Sequence, residues 1–289
     1  MLNLMPDPTE NPLAAGASGD LPGSGTTAPL QPAVTLPTQA SFLARSFPAW
    51  SAWDVLAVLV ITALVVFGFS LAALFIARAT PGYRNTPITE LATNARVVIG
   101  AQAAAYPIVL LFMFVLVRSR THERFGKAIR WNWPGTSAPG FFVMGTIVAI
   151  AIDGLSRFLP IPKSLPMDKY FHDAASAYLM AAFGVTLAPL LEELFFRGLL
   201  YPLLRRAFGL TMAVIVTAAA FAAIHGTQLG YAWAPVLSIF VVGVVFTVAR
   251  ARTNSVAASF LMHCGYNFSL FALLWLASDH YRHLGKVTN

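Results

Sequence analysis

Residues 187–206, LAPLLEELFFRGLLYPLLRR, carry two adjacent carboxylates and a guanidinium inside an apolar run long enough to lie in a bilayer. Each ionisable side chain placed there costs roughly 2.5–3.5 kcal/mol on insertion scales, so Glu192, Glu193 and Arg197 are candidates for a functional site. Glu193 and Arg197 are four residues apart on one helix face, whereas Glu192 is rotated by about 100° from Glu193. The spacing predicts that Glu193 pairs with Arg197 and that Glu192 is the freer carboxylate. Pro189 removes a backbone hydrogen bond and is predicted to kink the helix just before these residues.

The composition indicates whether this stretch is surrounded by water or by lipid. Of 289 residues, 57% are hydrophobic and 11% are charged, against roughly 25% charged in a typical soluble domain. The mean hydropathy is +0.67. The formal charge of +7 arises from basic residues that mostly flank apolar runs, which is the usual placement in membrane proteins and does not indicate nucleic-acid binding. The single cysteine, Cys264, excludes an intrachain disulfide and a Cys-based metal site.

Seven apolar stretches follow the first fifty residues, each near the ~20 residues that a helix needs to cross about 30 Å of hydrocarbon. The sequence therefore predicts an all-α polytopic membrane protein with about seven transmembrane helices and a site between the fourth, fifth and seventh. The predicted spans are 53–77, 97–117, 139–158, 174–204, 211–226, 233–250 and 254–277.

Composition also divides the chain into regions. Residues 1–49, rich in Pro, Gly and Ala, are predicted to be a disordered tail, because they cannot bury enough apolar surface to offset the entropy of ordering them. Residues 50–138 hold two predicted transmembrane helices and a basic loop lying on the membrane interface. Residues 139–277 form the predicted core, and 278–289 a C-terminal tail.

The basic residues of the loops predict the orientation of the chain. Their densest cluster, at 118–130, favours a cytoplasmic N-terminus. We expect an integral protein of a bacterial inner (plasma) membrane.

Two later spans each carry a polar pair at helical spacing. Phe221 and His225 share one face of the fifth span, and His263 and Asn267 share one face of the seventh. At ~1.5 Å per residue, Glu192 and His225 each lie about 21 Å from the loop that joins their spans. His263 and Asn267 lie roughly 14 and 20 Å from the same membrane face. Polar groups from three spans are therefore predicted to share one depth.

These side-chain types suit amide hydrolysis by an activated water. A shielded glutamate beside an imidazole can act as general base, and a carboxamide with a second imidazole can donate to an oxyanion. Two His and one Glu also make a plausible zinc set, although H-E-x-x-H is lacking. A non-catalytic scaffold and a proton-coupled transporter remain alternatives, and the transporter predicts internal repeats that the sequence does not show.

The three motifs together resemble the CPBP family, the CAAX-protease and bacteriocin-processing (Abi) intramembrane endopeptidases. The family pattern E-E-x-x-x-R, F-x-x-x-H and H-x-x-x-N/D is matched at 192–197, 221–225 and 263–267. The resemblance covers roughly residues 140–277 and implies an all-helical membrane protease. It implies that Glu192 and His225 activate the water and that His263 and Asn267 bind the oxyanion, with Glu193, Arg197 and Phe221 in support.

The resemblance leaves the metal open, because the family is often labelled a metalloprotease while its eukaryotic members look like metal-independent glutamate proteases. We expect no required cofactor, with a zinc ion on Glu192, His225 and His263 as the alternative. The expected partners are the lipid bilayer and a membrane-associated peptide or protein substrate, either prenylated (CAAX-like) or small and hydrophobic. A membrane scaffold or peptide-immunity protein of the same fold is the alternative function.

Overall fold

A computed structural model describes residues 49–284 of the chain. The predicted disordered tail, 1–49, lies outside the described residues except at its last position. Within 49–284 every regular element is helical and no β-strand occurs, which confirms the predicted all-α class.

Between residues 49 and 284, eight α-helices and one π-helix form the main body of the fold, joined by short helical turns. The turns are the 3₁₀ segments Pro81–Tyr83, Gly135–Ser137 and Pro166–Tyr170 and the one-turn helices Ile88–Leu91 and Phe125–Ala128. The main elements are α1 (Ala52–Ala79), α2 (Ala95–Thr121), α3 (Ala138–Ser156), α4 (Ala174–Val185), α5 (Leu187–Glu193), the π-helix (Leu194–Leu200), α6 (Tyr201–Ile224), α7 (Trp233–Thr253) and α8 (Val256–Ala277).

Six helical runs among the described residues are long and apolar enough to cross a membrane, close to the predicted seven. One of them, Ala174–Ile224, has 51 residues, more than twice the ~20 that one crossing needs. Gly209, at φ 78° and ψ −178°, interrupts the run. Arg197 and Phe221 lie at equal distances in sequence on either side of Gly209, and the Arg197 Cζ is 4.6 Å from the Phe221 ring centroid. The chain therefore reverses at Gly209, so this run holds both the fourth and fifth predicted spans.

Two glycines allow α3 and α8 to pack with their backbones in contact. A Cβ on Gly145 would overlap the carbonyl of Met262, and a Cβ on Gly265 would overlap the carbonyl of Phe142. Small residues permit such approaches between membrane helices, where dispersion contacts replace the hydrophobic effect as the driving force. Gly265 lies two residues after His263, so this contact fixes the helix that carries the last motif.

The basic loop between α2 and α3 closes one end of the bundle. Ile129 is buried at 1% exposure, and the Trp131 ring lies 5.5 Å from that of Phe260 on α8. The backbone N–H of Val256 donates to the Arg130 carbonyl at 2.9 Å. Trp133, in contrast, is 59% exposed. Part of this predicted interfacial loop thus packs on the protein and part faces outward.

Candidate active site

The helix that carries the first motif is interrupted before it reaches Glu192. Thr186, at φ −119° and ψ −74°, separates α4 from α5. Pro189, three residues later, has no N–H to donate to the Val185 carbonyl, and its ring disfavours a continuous helix in the preceding turn. The kink that Pro189 predicts before the site therefore lies at Thr186.

A second irregularity follows the two glutamates. Leu194–Leu200 is a π-helix, in which the chain makes i→i+5 bonds and each turn is wider. Its last bond runs from the Tyr201 N–H to the Phe196 carbonyl. Pro202 cannot donate to the Gly198 carbonyl four residues earlier, which is a reason for the α-helical register to fail here. The widened turn contains Arg197.

Glu193 and Arg197 form the ion pair that their spacing predicts. The Arg197 Nη1 donates to Glu193 Oε1 at 2.7 Å, and both side chains have 0% exposure. Arg197 also donates from Nη2 to the Gly243 carbonyl at 3.1 Å and from Nε to the Thr247 hydroxyl at 3.4 Å. Phe221 stacks on its guanidinium. The buried cation is thus paired, hydrogen-bonded and covered by an aromatic ring.

His263 joins the two glutamates across the helix interface. Its Nδ1 lies 3.0 Å from Glu193 Oε1, and its Nε2 lies 3.7 Å from Glu192 Oε2. Since a carboxylate accepts hydrogen bonds, the bond to Glu193 assigns a proton to Nδ1. The Glu192 side chain is 21% exposed, against 0% for Glu193. Glu192 is therefore the accessible carboxylate of the pair.

His225 reaches this cluster through an aromatic ring. Its Nδ1 donates to the Phe221 carbonyl at 2.8 Å, which leaves Nε2 as the unprotonated acceptor of a neutral ring. The Phe221 ring centroid lies 4.8 Å from the His225 ring and 5.7 Å from the His263 ring. The family resemblance implied that Glu192 acts together with His225. In the structure, the imidazole within 4 Å of Glu192 among the described residues is that of His263.

Asn267 lies one turn beyond His263 on α8. Its Nδ2 donates to the Gly184 carbonyl at 2.6 Å, near the end of α4. The side chains of Glu192, Glu193, Arg197, Phe221 and His263 are thus in one cluster, with His225 against Phe221 and Asn267 bonded to α4.

One wall of the site was not predicted from the sequence. Gly243 and Thr247 of α7 accept hydrogen bonds from Arg197, and the Phe246 ring lies 4.9 Å from the ring of His263. The sequence did not predict a role for these residues because none of them is ionisable. Their spacing at i, i+3 and i+4 on an apolar helix was the available signal.

The zinc alternative names Glu192, His225 and His263 as ligands. No group of three His, Cys, Asp or Glu side chains within 49–284 is placed to hold a metal ion. The Nδ1 atoms of His225 and His263 are both engaged in hydrogen bonds, which leaves Nε2 as the atom of each ring that could bind a metal. Glu192, His225 and His263 do not form such a group.

The comparison with known protein families agrees with the motifs. Residues 174–269 match the model of the Rce1-like family, described as type II CAAX prenyl endopeptidase Rce1-like. The resemblance to the CPBP family is confirmed. The match begins with α4 and ends within α8, so it contains all three motifs. No curated protein and no solved structure gives a significant match.

Proposed function

We propose that this integral membrane protein is a CAAX-type intramembrane endopeptidase, which hydrolyses a peptide bond by means of a water activated by Glu192 and His225. The main support for the proposal is that the two adjacent carboxylates differ in burial and in hydrogen bonding. Glu193 is fully buried and bonded to Arg197 and His263, whereas Glu192 keeps 21% of its surface exposed beside the same imidazole. A fixed ion pair next to an accessible carboxylate is suited to general-base catalysis.

The proposed reaction begins with proton transfer from water. Glu192 takes a proton from the water with the assistance of the unprotonated His225 Nε2, and the water oxygen forms a bond to the carbonyl carbon of the substrate. The carbonyl oxygen becomes an oxyanion. The carbon–nitrogen bond then breaks as the proton passes from Glu192 to the leaving amine, which gives a carboxylic acid and a new amino terminus. The carboxylic acid then loses the second water proton, which the new amine takes up.

The proposed oxyanion donors are His263 and Asn267. Because His263 Nδ1–H is donated to Glu193, the proposed donation to the oxyanion comes from an N–H at Nε2. The Asn267 amide has two N–H groups, of which one is bonded to Gly184, so the other is available to the oxyanion. We propose no metal in this mechanism.

We propose a membrane-associated substrate with a lipidated terminus. The site lies among apolar helices, and the matching family model is described as a prenyl endopeptidase. A peptide whose prenyl chain partitions into the bilayer would be concentrated at such a site, because each buried CH₂ contributes about 0.8 kcal/mol to membrane binding.

The test uses the full-length chain reconstituted in liposomes, with a fluorogenic peptide in prenylated and unprenylated forms. We expect cleavage of the prenylated form and a loss of about 10²–10⁴-fold in kcat for Glu192→Gln and His225→Ala, the range for general acid–base catalysis. Glu90→Gln, at an exposed glutamate outside the site, is the control and should retain full activity. Full activity in Glu192→Gln would rule out the mechanism, and binding without cleavage by the wild-type chain would favour a scaffold.

A further inference from the structure

The carbonyl of Arg197 has lost both of its helical donors. In an α-helix it would accept from the N–H of Tyr201, but that group donates to Phe196 instead. In a continued π-helix it would accept from residue 202, which is proline and has no N–H. A buried carbonyl needs a partner from elsewhere. The π-helical turn is therefore incomplete without an external donor.

Arg250 supplies that donor from α7. Its Nε donates to the Arg197 carbonyl at 3.2 Å, and its Nη1 donates to Asn254 Oδ1 at 3.0 Å. The guanidinium also lies 5.6 Å from the Tyr201 ring centroid, and the residue is only 3% exposed. Its rigid planar fork is fixed on both sides. Arg250 touches the backbone of the catalytic helix without belonging to any of the three motifs.

Trp50 makes a similar bond two residues further on. Its indole Nε1 donates to the Leu199 carbonyl at 3.0 Å, and its side chain is 1% exposed. Trp50 lies just before Ser51, the N-cap of α1. The π-helix is thus held from two directions, by α7 and by the segment that leads into α1.

We propose that Arg250 and Trp50 are positioning residues for the catalytic cluster, because they bond the carbonyls of Arg197 and Leu199 and so hold the π-helical turn open. The width of this turn sets the direction of the Arg197 side chain, which in turn holds Glu193 against His263. Neither residue lies among the reacting groups. The catalytic consequence rests on the proposed function, whereas the hold on the turn is measurable without any activity.

Both bonds can be removed by substitutions that have matched controls. Trp50→Phe keeps an aromatic ring and removes the N–H, and Trp53→Phe makes the same change at a residue that is 78% exposed. Arg250→Met removes the guanidinium, and Arg252→Met repeats this change at an exposed residue in the same helical turn. Arg250→Lys restores a charged donor without the planar fork.

The experiment measures kcat and KM for the prenylated peptide, together with amide hydrogen exchange of peptides covering 194–201. We expect kcat to fall by about 100-fold in Arg250→Met, the scale of a misplacement of about 1 Å. We expect kcat to fall by about tenfold in Trp50→Phe, which is the rate equivalent of losing one hydrogen bond. In Arg250→Lys we expect kcat to recover part of the loss seen in Arg250→Met. KM should stay within about twofold, because the substrate-binding groups remain in place. Exchange over 194–201 should rise in both variants and in neither control.

Wild-type kcat and wild-type exchange in Arg250→Met and Trp50→Phe would overturn the proposal. If Arg250→Met does not fold, Arg250→Lys and Trp50→Phe decide the question by the same two readouts. If the wild-type chain cleaves no peptide, the proposed function fails, and the exchange rates over 194–201 then decide the positioning role alone. A uniform rise in exchange over the whole bundle would show general destabilisation and would likewise overturn it.

Discussion

Arg197 holds its charge with no exposed surface by donating to Glu193, the Gly243 carbonyl and the Thr247 hydroxyl. The pairing with Glu193 was predictable, because residues four apart share a helix face. The contacts with α7 were not, because they depend on tertiary packing between residues about fifty positions apart. His263 illustrates the same limit: its depth was predictable, but its position between two carboxylates depends on how α8 packs.

Removing the Arg197 charge should destabilise the protein far more than removing an exposed one. Arg197→Met leaves Glu193 buried without its cation, which costs about 3–5 kcal/mol when a buried pair is broken. Arg157→Met breaks a pair with Asp153 in which the arginine is 77% exposed, so about 0–1 kcal/mol is expected. The free energy of unfolding in mixed micelles checks both values. Equal effects of the two substitutions would contradict the account, and adding Glu193→Gln to Arg197→Met should recover part of the loss.

At the scale of elements, the residues at which helices begin and end were predictable from the local sequence, whereas the irregularities within helices were not. The break between 204 and 211 was predicted, and the chain reverses there at Gly209. The π-helix was not predicted, although Pro202, which cannot donate to the Gly198 carbonyl, is a reason for the α-helical register to fail there. Of the two prolines within 187–206, only Pro189 was predicted to kink the helix.

The contact of α3 with α8 depends on two glycines. Gly265→Ala places a methyl group against the carbonyl of Phe142, so the two backbones must separate. We expect a loss of about 1–3 kcal/mol in stability, typical of overpacking, together with a lower kcat, because α8 carries His263. Gly68→Ala on α1, where nothing lies within 4 Å, is the control. Thermal unfolding and cleavage assays on the two variants measure this, and the expectation fails if Gly265→Ala behaves like Gly68→Ala.

The start of α4 predicts an acid-sensitive contribution to stability. Asp173 accepts from the Ser176 N–H at 2.8 Å and pairs with Arg96 of α2 at 3.3 Å. The Ser176 N–H, followed by the Ser176 hydroxyl and then the Arg96 charge, holds the pKa of Asp173 below its ordinary value. A carboxyl whose pKa is lowered by folding stabilises the protein above its unfolded pKa, near 4, and this stabilisation disappears as the pH falls through its folded pKa.

Two substitutions separate the charge of Asp173 from its role as a helix cap. Asp173→Asn keeps a good N-cap and removes the charge, so we expect a loss of about 0–1 kcal/mol at neutral pH and less dependence of stability on pH below about 4. Asp173→Ala also removes the cap, at a further cost of about 1 kcal/mol. Thermal midpoints in detergent from neutral to acidic pH measure both effects. An unchanged acid dependence in Asp173→Asn would contradict this assignment.

At the scale of the whole molecule, composition predicted the class of protein and the motifs predicted the family that the chain resembles. Both follow from properties that each residue carries by itself, namely hydropathy and chemical type. The arrangement of the site required the hairpin at Gly209 and the glycine contact between α3 and α8, which bring together residues far apart in the chain. The contacts of α7 and of the segment before α1 with the site could not be predicted from the sequence, because they depend on this packing.

The cleavage rate of a prenylated peptide by the reconstituted full-length chain, compared with that of Glu192→Gln after both have been treated with a chelator, tests the central claim most directly. The account predicts that the chelated wild-type chain cleaves at its untreated rate and that Glu192→Gln is slower by at least about 100-fold. Equal rates for the two proteins, or loss of wild-type cleavage on chelation with recovery on adding zinc, would contradict it.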